Sequence, residues 1–539
     1  MLWLPVTAAV FLIAGLWLGR SFDFAHSDTS ARAKLNEVFD IIEARYVDPV
    51  DFDSLVELAI PEMLSNLDPH SVYIPAAERT AFNRELEGSF YGVGIQFQMM
   101  NDTLYVLEVI AGAGADEAGL LPGDRIIEVD GKNIAGVEAS TEYLYSLLRG
   151  DKDTKVNVKL LRHSSPAPLS YEITRGEVPV SPIDASYMLS DTIGYIRLGK
   201  FSENTYPEFL ATLGQLRYDG AKAFVVDLRS NGGGYMNPAV LIANEFLPAG
   251  RKIVETKGRN SSDNNILISD GLGSFVDEPL VVLIDEFTAS SSEIFAGAMQ
   301  DNDRALIVGR RSFGKGLVQA QFELPDSAQF RLTVQRYYTP SGRCIQKTYT
   351  PGKNNDYQNE ILSRYDRGEI FSQDSVRVDS TLIFYTMAGR PVYGGGGIIP
   401  DAFVPSDTSG VTSYYLKVAN AGLIRKYAYE YADLNRENLS EAHDTAEMLS
   451  MLPSDGVLLN SFVRYADKAG IAPRWYFINQ SAALIVNQIK ALIARDIVGM
   501  DGYFEVVNTT DPVITEALQQ LADPSALHGP ADAAQEGSN

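Results

Sequence analysis

A single cysteine, Cys344, stands among 539 residues, so no internal disulfide can form and no cysteine-based metal site can be assembled. Histidine is scarce too: there are five, and none falls in residues 280–319, the stretch richest in candidate chemistry. The stretch itself supplies no imidazole, and lysine can do the work of a base there. Basic residues are outnumbered, 45 Lys+Arg against 70 Asp+Glu, for a formal net charge of −25. That balance speaks against a nucleic-acid partner, which needs clustered Lys and Arg to neutralise phosphates. Charge is absent altogether from Leu2 to Gly19, an apolar run near the lower length limit for crossing a bilayer. No basic residue precedes it, no clear A-x-A-like site comes after it, and no cysteine is there to carry a lipid. Residues 1–20 are therefore read as a membrane-targeting segment, retained as an anchor in preference to being cleaved.

What the chain does have is concentrated in residues 280–319. Leu280 to Ile284 is an uninterrupted aliphatic run, the pattern of a strand buried on both faces, and the polar and small residues 285–289 end it. Ser290-Ser291-Ser292-Glu293 then has the spacing of a capping box, which predicts a helix starting at Ser290 or a neighbour, with Ile294, Ala298 and Met299 as its inward stripe. A serine in that place meets free N–H groups and the positive end of the helix dipole. After a second aliphatic run at 305–308, Phe313-Gly314-Lys315-Gly316 sets a lysine between glycines. Gln319 is expected to open a strand with Val318, Ala320, Phe322 and Leu324 on one face and Gln319, Gln321 and Glu323 on the other.

Serine alone is a poor nucleophile, and lysine can activate it when an apolar pocket disfavours the ammonium form. The same glycines nearly fit a phosphate-binding loop, G-x-x-x-x-G-K-[ST], from Gly309 to Gly316. However, Gly316 occupies the place of the metal-binding hydroxyl, and residues 317–324 alternate as a strand where that motif needs a helix.

The segments Thr288-Ala289-Ser290-Ser291-Ser292-Glu293-Ile294 and Ser312-Phe313-Gly314-Lys315-Gly316-Leu317-Val318-Gln319 resemble the signature of the C-terminal processing, or tail-specific, proteases, serine peptidases with a Ser-Lys dyad. The resemblance implies Ser290 as nucleophile, Lys315 as general base and Gln319 as the residue that orients the lysine, with no metal and no cofactor. Ser291 stands where the family usually has alanine; its N–H would serve the oxyanion hole. Asp227 to Gly234 comes after an aliphatic strand, so its glycines lie where open α/β sheets place ligands. There the resemblance implies a second oxyanion N–H from Gly233, or else from Gly232.

The length allows several domains. Residues 21–88 show helical spacing, with His70 in a turn beside Asp68-Pro69 and in a supporting rather than catalytic role. Residues 89–176 alternate short apolar runs with turns around one helix and resemble a PDZ domain. Its carboxylate-binding loop is Gly92-Val93-Gly94-Ile95, whose N–H groups would hold a peptide's terminal carboxylate. Strands and helices alternate over 177–405, the expected α/β protease core. Residues 406–539 read as a helical appendage for oligomerisation or substrate handling, with helices expected at 414–434, 461–469 and 482–497 and a frayed end from Pro524. The expected fold is thus a multi-domain α/β protein with an inserted PDZ domain and helical ends. The expected activity is that of an endopeptidase in the cell envelope, on its periplasmic side, acting on exported proteins with accessible C-termini. A catalytically inactive peptide-binding scaffold is the contrasting reading.

Overall fold

The central sheet carries six strands among the described residues, in the order Ile183–Ser190, Ile193–Leu198, Ala223–Asp227, Leu280–Ile284, Leu306–Gly309 and Ala402–Phe403. Only the first pair is antiparallel; the rest run parallel. The computed structural model describes residues 29–79, 89–100, 103–137 and 139–522, so the apolar N-terminal run and the expected frayed end lie outside the described residues. Period-two alternation sorts the strand residues onto two faces. Val226, Val282 and Ile284 pack under the helices Thr205–Tyr218, Met236–Phe246 and Ser291–Asp301, in a core that includes Phe209, Phe246 and Phe295. Val225, Val281 and Leu283 face the other way, against Val513, Ile514 and Ala517 of the helix Pro512–Ala522. Burying such a side chain contributes about 1.5–3 kcal/mol, so both layers are needed to cover a sheet this apolar. The last helix is therefore part of the core, which differs from its expected place in an appendage.

The chain divides into two compact units, one ending at Leu64 and the other beginning at Ser65. The first contains the helix Thr29–Arg45 and most of Phe52–Ser65, with Phe39 and Phe52 meeting edge to face at 6.2 Å. In the second, the turn at 67–71 leads into the strand Val72–Ile74, which pairs with Gln329–Tyr338 in a five-stranded sheet. That sheet also holds Leu317–Glu323, the strand after the lysine loop. This strand opens at Leu317, two residues before Gln319, and its register shifts between Val318 and Gln319, which breaks the simple two-face alternation expected there.

The PDZ-like sheet runs Ile95–Met100, Thr103–Val109, Arg125–Val129, Lys155–Leu161, Leu169–Thr174, beside the helix Thr141–Leu148. The strands Ser89–Gly92 and Gly176–Pro179 pair antiparallel and close it off as an insertion. Tyr105 of this sheet stacks on Tyr429, with ring centroids 5.4 Å apart, and Leu107 and Leu492 pack nearby. The C-terminal helices thus touch the PDZ-like sheet through Tyr429 and Leu492, and the central sheet through Met500–Asn508, whose Asn508 donates to Tyr187 Oη, and Pro512–Ala522. The single helix expected over 414–434 is two, Ser413–Asn420 and Leu423–Leu439, because Gly422 takes a left-handed φ of 67° between them. No described helix is long and apolar enough to cross a membrane.

Candidate active site

Ser290 sits where the strand Leu280–Ile284 gives way to the helix Ser291–Asp301. The connecting turn is fixed by Asp285, whose Oδ1 accepts N–H bonds from Ser230 (2.9 Å), Phe287 (3.0 Å) and Thr288 (3.1 Å). Ser290 adopts φ 59° and ψ −117°, a conformation that costs a non-glycine residue about 1–3 kcal/mol and that persists only where the surroundings dictate it. Its N–H donates to Glu293 Oε2 at 2.9 Å, the reciprocal half of the capping box. The helix beyond it has no exposed face: every residue from Ser291 to Asp301 is buried, so the expected inward stripe is only one side of a fully enclosed element.

Glu293 reaches further than a cap. Its carboxylate also accepts from the Ser312 hydroxyl, from Gly314 N–H (2.7 Å) and from Lys315 N–H (2.9 Å), tying the serine turn to the lysine loop. Burial raises its pKa above the usual carboxylate range, against the pull of these four donors. The remaining backbone groups of 312–316 are all engaged. Ser312 N–H donates to Ile398 C=O (2.9 Å) and Phe313 N–H to Thr288 C=O (2.9 Å), and Gly316 N–H reaches Gln346 Oε1 (2.8 Å). The carbonyls of Ser312 and Phe313 accept from Arg364 (2.7 and 3.0 Å), and that of Gly314 accepts from Lys347 N–H (2.9 Å). The carbonyls of Lys315 and Gly316 accept from the Tyr337 hydroxyl (2.7 Å) and N–H (3.0 Å). The same hydroxyl hydrogen is shared with Ser290 C=O at 3.1 Å, so one buried side chain holds both loops.

Ser290, Ser291, Lys315, Gln319, Gly232 and Gly233 line one cleft of about 440 Å³, together with the apolar Met236, Ile294, Leu317 and Val318. Burial lowers the pKa of Lys315, and Arg331 on the cleft wall lowers it further by charge repulsion. Gly233 has φ +95°, and a Cβ on it would lie 2.7 Å from Ala289 C=O and 2.8 Å from Ser290 Cβ, so the absence of a side chain lets this turn close on the serine. The Gly233 N–H donates to Asn231 Oδ1 (2.9 Å), whereas those of Gly232 and Ser291 have no hydrogen-bond partner among the described residues. Gln319 donates its side-chain amide to the Thr333 hydroxyl (3.2 Å), which in turn donates to Asp68.

His70 lies in the turn at 67–71. Its N–H bonds Asp68 and its Nε2 meets Tyr357 Oη at 2.9 Å, while burial and the neighbouring Lys315 push its pKa down to about 3. The predicted PDZ loop lies elsewhere in the chain, with Gly92, Val93, Gly94 and Ile95 all buried. Gly94 has φ +84°, and a Cβ there would lie 2.2 Å from Ala113 Cβ. Sequence reasoning singled out Ser290, Ser291, Lys315, Gln319, Gly232 and Gly233, which the cleft brings together, but it missed Met236, Arg331 and the reach of Glu293, the last signalled only by its S-x-x-E spacing. It also missed Tyr337 and Arg364, whose backbone-carbonyl partners lie 21 to 53 residues away and leave no local mark.

A strained serine at a helix start, beside a half-buried lysine and open N–H groups, defines the site of a serine-type peptidase. Residues 192–358 match peptidase family S41, 105–162 a PDZ domain and 20–78 the N-terminal domain of the activating protease CtpB. Residues 414–499 match a family of unknown function. A carboxy-terminal-processing protease of Bartonella bacilliformis is 36% identical over 63% of this chain and 80% of its own length. The carboxyl-terminal-processing protease of a Synechocystis is 38% identical over 54% of the chain and 68% of its own. The carboxy-terminal processing protease CtpA of Bacillus subtilis is 33% identical over 58% and 66%. The chain belongs to the S41 carboxy-terminal-processing serine proteases and carries their PDZ domain.

Proposed function

We propose that Ser290 is the nucleophile and Lys315 its general base in an acyl-enzyme mechanism. Unprotonated Lys315 Nζ takes the Ser290 hydroxyl proton as Oγ attacks the scissile carbonyl, and the resulting ammonium passes that proton to the leaving amine. A water, deprotonated by the same lysine, then attacks the ester carbonyl, and the proton returns to Ser290 as the new carboxyl group leaves. The oxyanion is held by Ser291 N–H and by the 232–233 turn, where Gly232 contributes an open donor and Gly233 the close approach. Gln319, its amide held by the Thr333 hydroxyl, orients the lysine from the cleft wall. Substrates are exported proteins whose terminal carboxylate is taken by the Gly92–Ile95 loop, and residues 1–20 hold the enzyme at the membrane of the cell envelope. The convergence of a strained Ser290 and a desolvated Lys315 in one cleft is the observation that carries this reading.

The test is mass-spectrometric mapping of cut sites in exported proteins with wild type, Ser290→Ala and Lys315→Ala, supported by kinetics on one peptide in acid and C-terminally amidated forms. Both variants should lose turnover by roughly 10⁴-fold or more, because residues acting as one unit fail together. Turnover surviving Lys315→Ala would refute the dyad. Equal rates on acid and amide peptides would remove tail recognition while leaving the peptidase in place.

A further inference from the structure

Arg364 is 1% exposed, in the short helix Glu360–Asp366, and its N–H groups point at a carboxylate and at backbone carbonyls rather than solvent. Nε meets both carboxylate oxygens of Glu360 at 2.9 Å. Nη1 donates to the carbonyls of Ser312 (2.7 Å) and Arg311 (3.3 Å), and Nη2 to that of Phe313 (3.0 Å). Three consecutive carbonyls, ending two residues before Lys315, are thus gathered on one planar guanidinium. A lysine ammonium, a single point charge, cannot reproduce that fork. Glu360 also takes Lys347 Nζ at 3.4 Å, which lies 3.7 Å from the Phe313 ring centroid. The loop is therefore gripped by two opposite chemistries: the Glu293 carboxylate holds its N–H groups and the Arg364 guanidinium its C=O groups. Glu360 and Arg364 both fall beyond residues 192–358, the part that matches peptidase family S41.

We propose that Arg364, oriented by Glu360, is a positioning residue for Lys315, setting the path of residues 311–313 so that Nζ is presented to Ser290 within proton-transfer reach. This rests on the Ser290–Lys315 reading. A base displaced by about 1 Å loses roughly 10²-fold in rate, and a loosened loop also admits water to the lysine. The fault would appear in kcat rather than in substrate capture, because Arg364 lies outside the cleft lining.

The experiment measures kcat, KM, thermal midpoint and the pH profile of kcat for wild type, Arg364→Lys, Arg364→Met and Lys315→Ala. Arg364→Lys should lower kcat per folded molecule roughly 10–100-fold with KM within about twofold, and Arg364→Met should lower it further. In both, the acid limb of kcat should move to higher pH, as a more hydrated Lys315 recovers basicity. A merely structural residue would lower the midpoint while leaving kcat per folded molecule and the acid limb where wild type has them, and that result overturns the proposal. If Arg364→Met does not fold, Arg364→Lys, which keeps the charge and most of the volume, decides alone. Activity surviving Lys315→Ala would instead sink the dyad itself. An inactive Lys315→Ala beside an Arg364→Lys with wild-type kcat and acid limb would sink only this inference.

Discussion

The loop carrying Lys315 and the loop carrying Gly233 line the same cleft as Ser290, and they are shaped by different means. In 312–316 every backbone N–H and C=O has a partner, drawn from Glu293, Arg364, Tyr337, Gln346, Lys347 and two neighbouring carbonyls. In 228–234 the tethers hold the framework: Leu228 N–H to Leu283, Ser230 N–H to Asp285, Gly233 C=O to Phe201 N–H. The Gly232 N–H is left open, and the turn is shaped by how closely Gly233 approaches Ala289 and Ser290. A base must stay in one place through both half-reactions, so saturating its backbone serves it. An oxyanion donor must keep its hydrogen bond for the transition state, because a bond already made in the resting enzyme adds nothing to the rate.

The comparison breaks most completely at Glu293. In Glu293→Gln, one oxygen becomes an NH₂ group facing N–H donors it cannot accept from, leaving buried donors unpaired in a network that joins both loops. Activity should fall roughly 10³-fold or more, with a loss of stability of about 2–4 kcal/mol read from denaturant midpoints. A variant with wild-type kcat and midpoint would mean that the network does not hold the site together.

Gly233→Ala comes next. The added Cβ would force the turn away from Ser290 at a φ that alanine resists, so kcat should drop about 10²–10³-fold, the size expected for a lost oxyanion donor, with folding largely retained. A loss in KM alone would mean that the turn binds substrate without stabilising the intermediate.

These two residues also mark how far the sequence could be read. Gly233 and Ser290 were legible because each sits past the end of an aliphatic strand, within a short motif of recognisable spacing. The same holds for the central strand Leu280–Ile284, whose aliphatic run matches the observed element end to end. Arg364 and Tyr337 were not legible. Their partners are backbone carbonyls, which every residue has, and only the tertiary fold decides which carbonyls a buried donor meets. The helix Pro512–Ala522 was hidden for a related reason. Its amphipathic pattern shows that one face is buried, but not that the burial is against the central sheet.

The pH dependence separates the loops by charge. In the proposed dyad Lys315 acts unprotonated, and its pKa lies below the ordinary lysine value because of burial first and Arg331 second. On the acid side of that pKa, kcat/KM should therefore rise about tenfold per pH unit and level off above it. Arg331→Gln removes the second cause, so the protonated form persists to higher pH and the limb moves upward. Gly233→Ala should leave the limb in place while lowering the plateau. A limb unmoved by Arg331→Gln would assign it to another group.

Gly232→Ala should have the smallest effect. An added Cβ there meets nothing within 4 Å, and alanine keeps the N–H that the oxyanion reading uses. Gly232 lines the cleft, so KM should rise at most a few-fold, while kcat should stay within about twofold of wild type. Steady-state kinetics of Gly232→Ala beside Gly233→Ala decides whether adjacent glycines divide the work as proposed, one as donor and the other as the point of close approach. If both lose kcat alike, the turn works through its flexibility as a whole, and the contrast with the saturated lysine loop does not hold.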